Sequence, residues 1–257
     1  MRCRSVVCVA KADERRIQQE RSGPHSGKLM ALSRMNYRAW ISPPAEHETQ
    51  PPYTEYYPVT LCSGAQLHLP LQPLPDGEQA IALLMSNQTP FEVEQELSVL
   101  LSGLAAEFSA EVIVGIPTLG LDYARNVARN LGFPDYVALG NSRKFWYSDK
   151  LSVPVRSVTS PGVNKRLYLD PTLVERLAGK RALIVDDVIN TGGSAAAAIE
   201  LVQSAGAQVI GLCVVLIEGE AWKTVLEAFA PDWPDRIRGL GRLPLFRSTA
   251  AGWVPVI

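Results

Sequence analysis

The sequence lacks any long hydrophobic run. Its longest, Val209 to Ile217, is of strand length and ends at the charged Glu218, whereas a membrane-spanning helix needs about twenty apolar residues. Ser5 to Ala10 is apolar but too short for the core of a secretory signal. Cysteine is scarce. Cys3, Cys8, Cys62 and Cys213 show neither zinc-ligand spacing nor the density of a disulfide scaffold. These absences set aside a membrane partner and make a reducing cytoplasm the expected location. Cys213 falls inside an apolar strand pattern and is expected to be a buried, inert thiol. Histidine is rarer still: His25, His47 and His68 are too scattered to build a metal site or a triad. Neither sign of charge is in excess. A formal net charge of -1 gives no overall basic field, so nucleic acid is not an expected partner. Two phosphate signatures are also missing, the G-x-x-x-x-G-K-S/T loop and a G-x-G-x-x-G after a strand.

What is present fits one large globular domain or a domain with an appended lobe, with 47% hydrophobic and 20% charged residues in 257. Residues 1–52 differ from the rest. They are rich in Arg, Ser and Pro without sustained periodicity, and read either as a disordered arm or as an extension upstream of a true start at Met30 or Met35. Pro43-Pro44 and Pro51-Pro52 mark a linker, so the folded part is expected over residues 53–257. Thr54 to Cys62 and Gln66 to Leu71 read as strands joined at Ser63-Gly64-Ala65, and Gln79 to Ser86 as a third strand. Thr89, Pro90 and Glu92 predict a helix start with Thr89 as N-cap. Leu97, Leu100, Leu101, Leu104, Ala105 and Phe108 then form one apolar stripe.

The pattern next alternates. Val112 to Ile116 is a buried-strand run, Leu119 to Leu131 a helix stopped by Gly132, and Tyr136 to Leu139 a short strand. Leu151 to Thr159 pairs with Arg166 to Leu169, and Asp170-Pro171 opens a short helix closed by Gly179. Ala182 to Val185 is a strand, Gly193 to Ala205 a helix, Val209 to Ile217 a strand and Glu220 to Phe229 a helix. Such alternation implies an α/β fold with a central, mainly parallel sheet flanked by helices.

The most informative stretch is Leu183 to Ser194. An apolar strand ends in Asp186 and Asp187, and Thr191-Gly192-Gly193-Ser194 leads into an alanine-rich helix. Open α/β sheets bind ligands beyond the carboxyl ends of their strands. Glycines let the backbone approach a phosphate, and the free N–H groups of a helix start cradle an anion. The Thr191 and Ser194 hydroxyls add donors, while two carboxylates can accept from vicinal hydroxyls. Together these suit a sugar phosphate better than a bare phosphate. The bland alternative is an acidic strand–turn–helix junction with a serine cap.

This segment resembles the ribose-phosphate signature of type I phosphoribosyltransferases, adenine/xanthine-type members included. The resemblance implies the family's fold, with a hood near the N-terminal hairpin, and a phosphoribosyltransferase domain over residues 53–257. It implies that Asp186 and Asp187 bind the ribose hydroxyls of phosphoribosyl pyrophosphate (PRPP). The segment Val188, Ile189, Asn190, Thr191, Gly192, Gly193 and Ser194 would hold the 5′-phosphate. Asn190 departs from the commoner threonine or serine, but an amide also donates to phosphate. Gly115 to Gly120 is similar to the family's pyrophosphate loop, so Pro117, Thr118, Leu119 and Gly120 would meet the diphosphate; alone, it is equally an ordinary strand-to-helix turn.

Asn141-Ser142-Arg143-Lys144-Phe145-Trp146-Tyr147 combines two cations with three aromatics. Arg143 and Lys144 match a pair that approaches the pyrophosphate in adenine-type members, often across a homodimer interface; the alternative is a solvated basic face. Val158 to Tyr168 falls where the family carries a mobile lid, with Lys165 and Arg166 near its return as catalytic cations. It lacks the glutamate that adenine-specific members often carry there. The resemblance implies Mg²⁺ carried mainly by PRPP and a nucleobase, a purine first, as acceptor. Trp222, Trp233, Phe246 and Trp253 offer base-stacking surfaces, although core packing is the better expectation for each. A PRPP-sensing regulator of the same fold is the other reading. Such a regulator usually carries a DNA-binding element, and residues 1–50 hold no helix-turn-helix pattern.

Overall fold

A computed structural model describes residues 38–44, 50–155 and 165–256. The chain opens with β1 (Trp40–Ser42), β2 (Tyr56–Thr60), β3 (Gln66–Pro73) and β4 (Gln79–Ala82). β3 is the spine, pairing antiparallel with the other three. Its alternate residues Leu67, Leu69 and Leu71 are buried, as a period of two requires of a strand with one face on a core. The expected turn closes β2 onto β3, with the Leu61 N–H donating to the Ala65 carbonyl at 2.9 Å. β1 lies ahead of the boundary expected at residue 52. Trp40 stacks on His68, and Ser42 Oγ lies 2.9 Å from the His68 ring nitrogen Nε2. A strand of three residues gains its stability from cross-strand pairs, which leave no periodicity to read.

α1 (Phe91–Ala106) starts one residue later than expected. Pro90 is the cap residue, extended at ψ 143°, and the Thr89 hydroxyl instead donates to the Ser86 carbonyl at 2.8 Å. A residue before proline is disfavoured in helical geometry, which keeps Thr89 outside. β5 (Val112–Gly115), α2 (Gly120–Asn130) and β6 (Val137–Ala138) follow. β7 (Ser152–Pro154) and β8 (Arg166–Tyr168) pair antiparallel as expected. α3 (Val174–Leu177) is preceded by a turn that Asp170 caps, accepting from the Thr172 N–H at 2.9 Å.

β9 (Arg181–Ile189), α4 (Gly193–Ser204), β10 (Gln208–Glu218) and α5 (Trp222–Glu227) complete the alternating part. β11 (Ile237–Leu243), β12 (Leu245–Thr249) and β13 (Gly252–Val256) were not expected. Gly and Arg interrupt the apolar pattern of β11 and weaken its sequence signal.

Two sheets result. β11-β10-β9-β5-β6 is parallel throughout. β1-β3-β4-β12-β13, with β2 on β3, joins the N-terminal strands to the last two through the antiparallel β4–β12 pair. The parallel sheet separates two cores. Val112, Val114, Ala182 and Ile184 face one, and Ile113, Leu183 and Val185 face the other. Burial on both faces explains why these strands read as unbroken apolar runs. Trp222, Trp233 and Phe246 are core residues, as expected, and Trp253 is half-buried. Cys213 is buried, and burial pushes its thiol up to about 12.

Candidate functional site

Strand order fixes where a site can form. From β5 the chain passes to β6 on one side; from β9 it passes to β10 on the other. The two connections part between β5 and β9, and a crevice opens at such a switch point beyond the strand ends. The segments entering it are residues 116–120 after β5 and 186–194 at the end of β9.

Asp186 and Asp187 lie within β9, which runs on to Ile189 rather than ending at Val185. Val188 pairs with Leu216 and Ile189 with Ile217 of β10, and Ile189 is buried. Val188 and Ile189, expected as part of the phosphate-binding segment, are the last two residues of β9 and set the loop's origin. The loop proper is Asn190 to Ser194. Gly192, the cap of α4, has φ 80°, in the left-handed region that side chains disfavour. A Cβ there would also press on Trp222, 3.2 Å from its Cα. The Gly192 carbonyl accepts the first bond of α4, from the Ala196 N–H at 2.8 Å. The N–H groups that precede that bond are the open donors of a helix start.

The turn after β5 abuts this strand. A Cβ on Gly120 would meet the Asp186 carboxylate and lie 2.7 Å from its Cα, so only glycine lets α2 start this close to β9. The Pro117–Thr118 peptide bond is cis. Two side chains hold the turn. Buried Ser86 donates its hydroxyl to the Leu119 carbonyl at 3.1 Å, and Asn141 Nδ2 donates to Thr118 Oγ1 at 3.1 Å. Neither tie was foreseen; Asn141 lay in the basic–aromatic segment without an assigned task. A third unforeseen group is Glu218, at the end of β10, which accepts from Asn190 Nδ2.

Asp186 is 8% exposed. Burial, then the neighbouring Asp187 charge, raises its carboxyl well above the usual aspartate range. Burial raises Asp187 as well. The Asp187 N–H donates to Asp186 Oδ1 at 3.0 Å. A buried and a half-buried carboxylate side by side are costly when ionised unless donors supply hydrogen bonds there.

The other expected residues make their contacts elsewhere. Arg143 and Lys144 are exposed, and Arg143 pairs with Asp149 at 3.2 Å. Phe145 is 96% exposed, and Trp146 donates its indole N–H to Asp170 Oδ2 at 2.9 Å. Arg166 is committed to the β7–β8 hairpin, its guanidinium donating to Ser152 Oγ at 2.8 Å and to the Ser152 carbonyl at 3.0 Å. Lys165 is exposed, its carbonyl held by the Val155 N–H at 2.9 Å. The lid expected from Val158 lies mostly outside the described residues. A cleft between β2 and β11, lined by Tyr57, Cys62, Arg238 and Arg242, shares no lining residue with the 186–194 segment.

A family model, the phosphoribosyl transferase domain, matches residues 92–232, from α1 to past α5. The chain belongs to this family. It is 38% identical over 121 residues to an adenine phosphoribosyltransferase of Kineococcus radiotolerans, covering 45% of this chain and 59% of the relative. It is 41% identical over 120 residues to an adenine phosphoribosyltransferase of Rhodococcus opacus, covering 46% and 64%. A hypoxanthine/guanine phosphoribosyltransferase of Methanocella arvoryzae is 31% identical over 120 residues, covering 47% and 58%. The chain thus spans about three fifths of the length of these curated relatives. Among solved structures, the Giardia lamblia APRTase complexed with 9-deazaadenine superposes with TM-score 0.53 at 21% identity, over 68% of this chain and 93% of that one. At that identity the likeness speaks for the fold. In this chain, β12 and β13 extend the N-terminal hairpin region into a six-stranded sheet. Among the described residues no helix is long and apolar enough to cross a membrane.

Proposed function

We propose that this chain transfers the phosphoribosyl group of PRPP to a ring nitrogen of a nucleobase, a purine first, with release of pyrophosphate. One observation carries the reading. Two adjacent carboxylates, Asp186 buried and Asp187 half-buried, lead through Val188 and Ile189 into a left-handed-glycine loop at a helix start, and Gly120 of the 117–120 turn packs against Asp186. The pair accepts from the two ribose hydroxyls, and the loop amides hold the 5′-phosphate. The bond from the anomeric carbon to the diphosphate oxygen breaks, a carbon–nitrogen bond forms, and the nitrogen's proton leaves. Catalysis is then mostly orientation of the ribose and stabilisation of charge on the leaving group. The 117–120 turn and the exposed Arg143 and Lys144 supply that stabilisation, with Lys165 at the rim.

Among the described residues, no three carboxylate, His or Cys side chains gather that could hold a metal. The Mg²⁺ implied by the family would take its ligands from diphosphate and water, as that ion tends to do, with Asp186 and Asp187 accepting from the sugar beside it. Bound there, it would neutralise the leaving group's charge. Relatives named adenine phosphoribosyltransferase make adenine the first acceptor to test. The exposed Arg143–Trp146 segment supports a homodimer, and the free Cys62 and Cys213 fit a cytoplasmic setting. Pyrophosphate release is measured with adenine, guanine, hypoxanthine, xanthine, uracil and orotate. Release with one or more purines supports the transferase. Tight PRPP binding with no release from any base would replace it with the sensor.

A further inference from the structure

Among the described residues only two charged side chains are buried, Asp186 and Glu218. The first is accounted for by the sugar. Glu218 is 6% exposed and has no part in that account. A buried carboxylate facing only a neutral amide is poorly compensated, and beside an anion site it also repels the ligand. Its position therefore needs a reason.

β9 and β10 run parallel, with Ile189 opposite Ile217. The next residue on each strand is Asn190 and Glu218, so the strand register itself brings them together. Asn190 Nδ2 donates to Glu218 Oε2 at 2.5 Å. Burial pushes the Glu218 carboxyl up, and the bond from Asn190 pulls it back. The turn that follows touches the loop a second time. Trp222 donates its indole N–H to the Gly219 carbonyl at 3.1 Å, and its Cα and Cβ back Gly192. Residues 218–222 thus hold the loop at Asn190 and at Gly192.

We propose that Glu218 is a positioning residue of the phosphate loop: it fixes the Asn190 side chain and so presets the backbone amides of residues 191–193 for the 5′-phosphate. The inference rests on reading that loop as the 5′-phosphate site. Asn190 then serves as the link between carboxylate and loop, with one amide hydrogen already committed.

The test compares Glu218→Gln, Glu218→Leu, Asn190→Ala and the Asn190→Ala/Glu218→Leu double variant in the full chain. KM for PRPP, kcat and amide hydrogen exchange at residues 190–194 are measured. Glu218→Gln keeps an acceptor and retains most of the wild-type KM. Glu218→Leu and Asn190→Ala each raise KM about tenfold, the effect of losing a hydrogen bond to a charged group, with a smaller change in kcat and faster exchange confined to the loop. The double variant is no worse than either single, because both remove one link. Wild-type KM and exchange in Glu218→Leu, or additive effects in the double variant, overturn the proposal. Should Glu218→Leu fail to fold, Asn190→Ala decides alone: unchanged KM and exchange overturn it. Absence of PRPP binding by the wild type would remove the transferase reading, while loop exchange would still report whether Glu218 holds Asn190.

Discussion

Asp186 and Asp187 sit side by side at the end of a strand that is otherwise apolar, and burial raises both carboxyls. The native protein therefore keeps their protons to higher pH than the unfolded chain does. The pair's contribution to stability is fully present below the ordinary aspartate range and is lost as pH rises through its native range. Above that range the ionised pair burdens the free protein. Asp186→Asn is expected to raise Tm by about 2–4 °C at pH 8, as roughly 1 kcal/mol does in a domain of this size, with a smaller gain at pH 5. The same variant should lose PRPP binding. Thermal melts at both pH values check this; an equal Tm shift at the two would contradict it. The acidic pair was legible because two carboxylates interrupt an apolar run beside glycines. Its supports were not. Asn190–Glu218, Asn141–Thr118 and Ser86–Leu119 join residues 28, 23 and 33 apart, and a contact between distant elements leaves no local pattern.

Gly120 shows how one element's start sets another's reach. α2 can begin beside β9 because Gly120 has no Cβ to meet Asp186. Gly120→Ala is expected to push the 117–120 turn away and lower kcat/KM by at least about a hundredfold, in the range that a misplacement near 1 Å causes, while the fold persists by circular dichroism. Arg143→Ala should behave differently. Its exposed pair with Asp149 contributes no more than about 1 kcal/mol to stability, so Tm stays near wild type while KM for PRPP rises. A Tm drop of many degrees would show that Arg143 is structural. Most elements were readable from their periodicity, including β5, α2, β9, α4 and β10. From sequence alone β9 ends at Val185, because the charge of Asp186 and Asp187 resembles a strand end. Pairing of Val188 and Ile189 with β10 carries the strand onward, and only register with a neighbour reveals that.

Both ends of the described chain meet in one sheet, since β12 and β13 extend the strands of the N-terminal hairpin. The core of that sheet includes Ala39 and Leu67 from its early strands and Phe246 from its last. A chain beginning at Tyr37 keeps β1; one beginning at Tyr53 loses it, with the Trp40–His68 stack and buried Ala39. The shorter chain should melt at lower temperature than the longer, and equal melting would mean β1 adds nothing. β12 and β13 escaped the sequence because the sheet they join, through the β4–β12 pair, is built from the other end of the chain. The parallel sheet escaped only at its edge strand β11, since each of its central strands is apolar on both faces. The proposed sugar-phosphate site lies at this architecture's switch point, and calorimetric titration of PRPP with Mg²⁺ into the wild type and Asp187→Asn tests that proposal most directly. Saturable binding to the wild type, weakened at least about tenfold in the variant by loss of a charged acceptor, is the predicted result. Equal affinity of the two proteins would contradict the account.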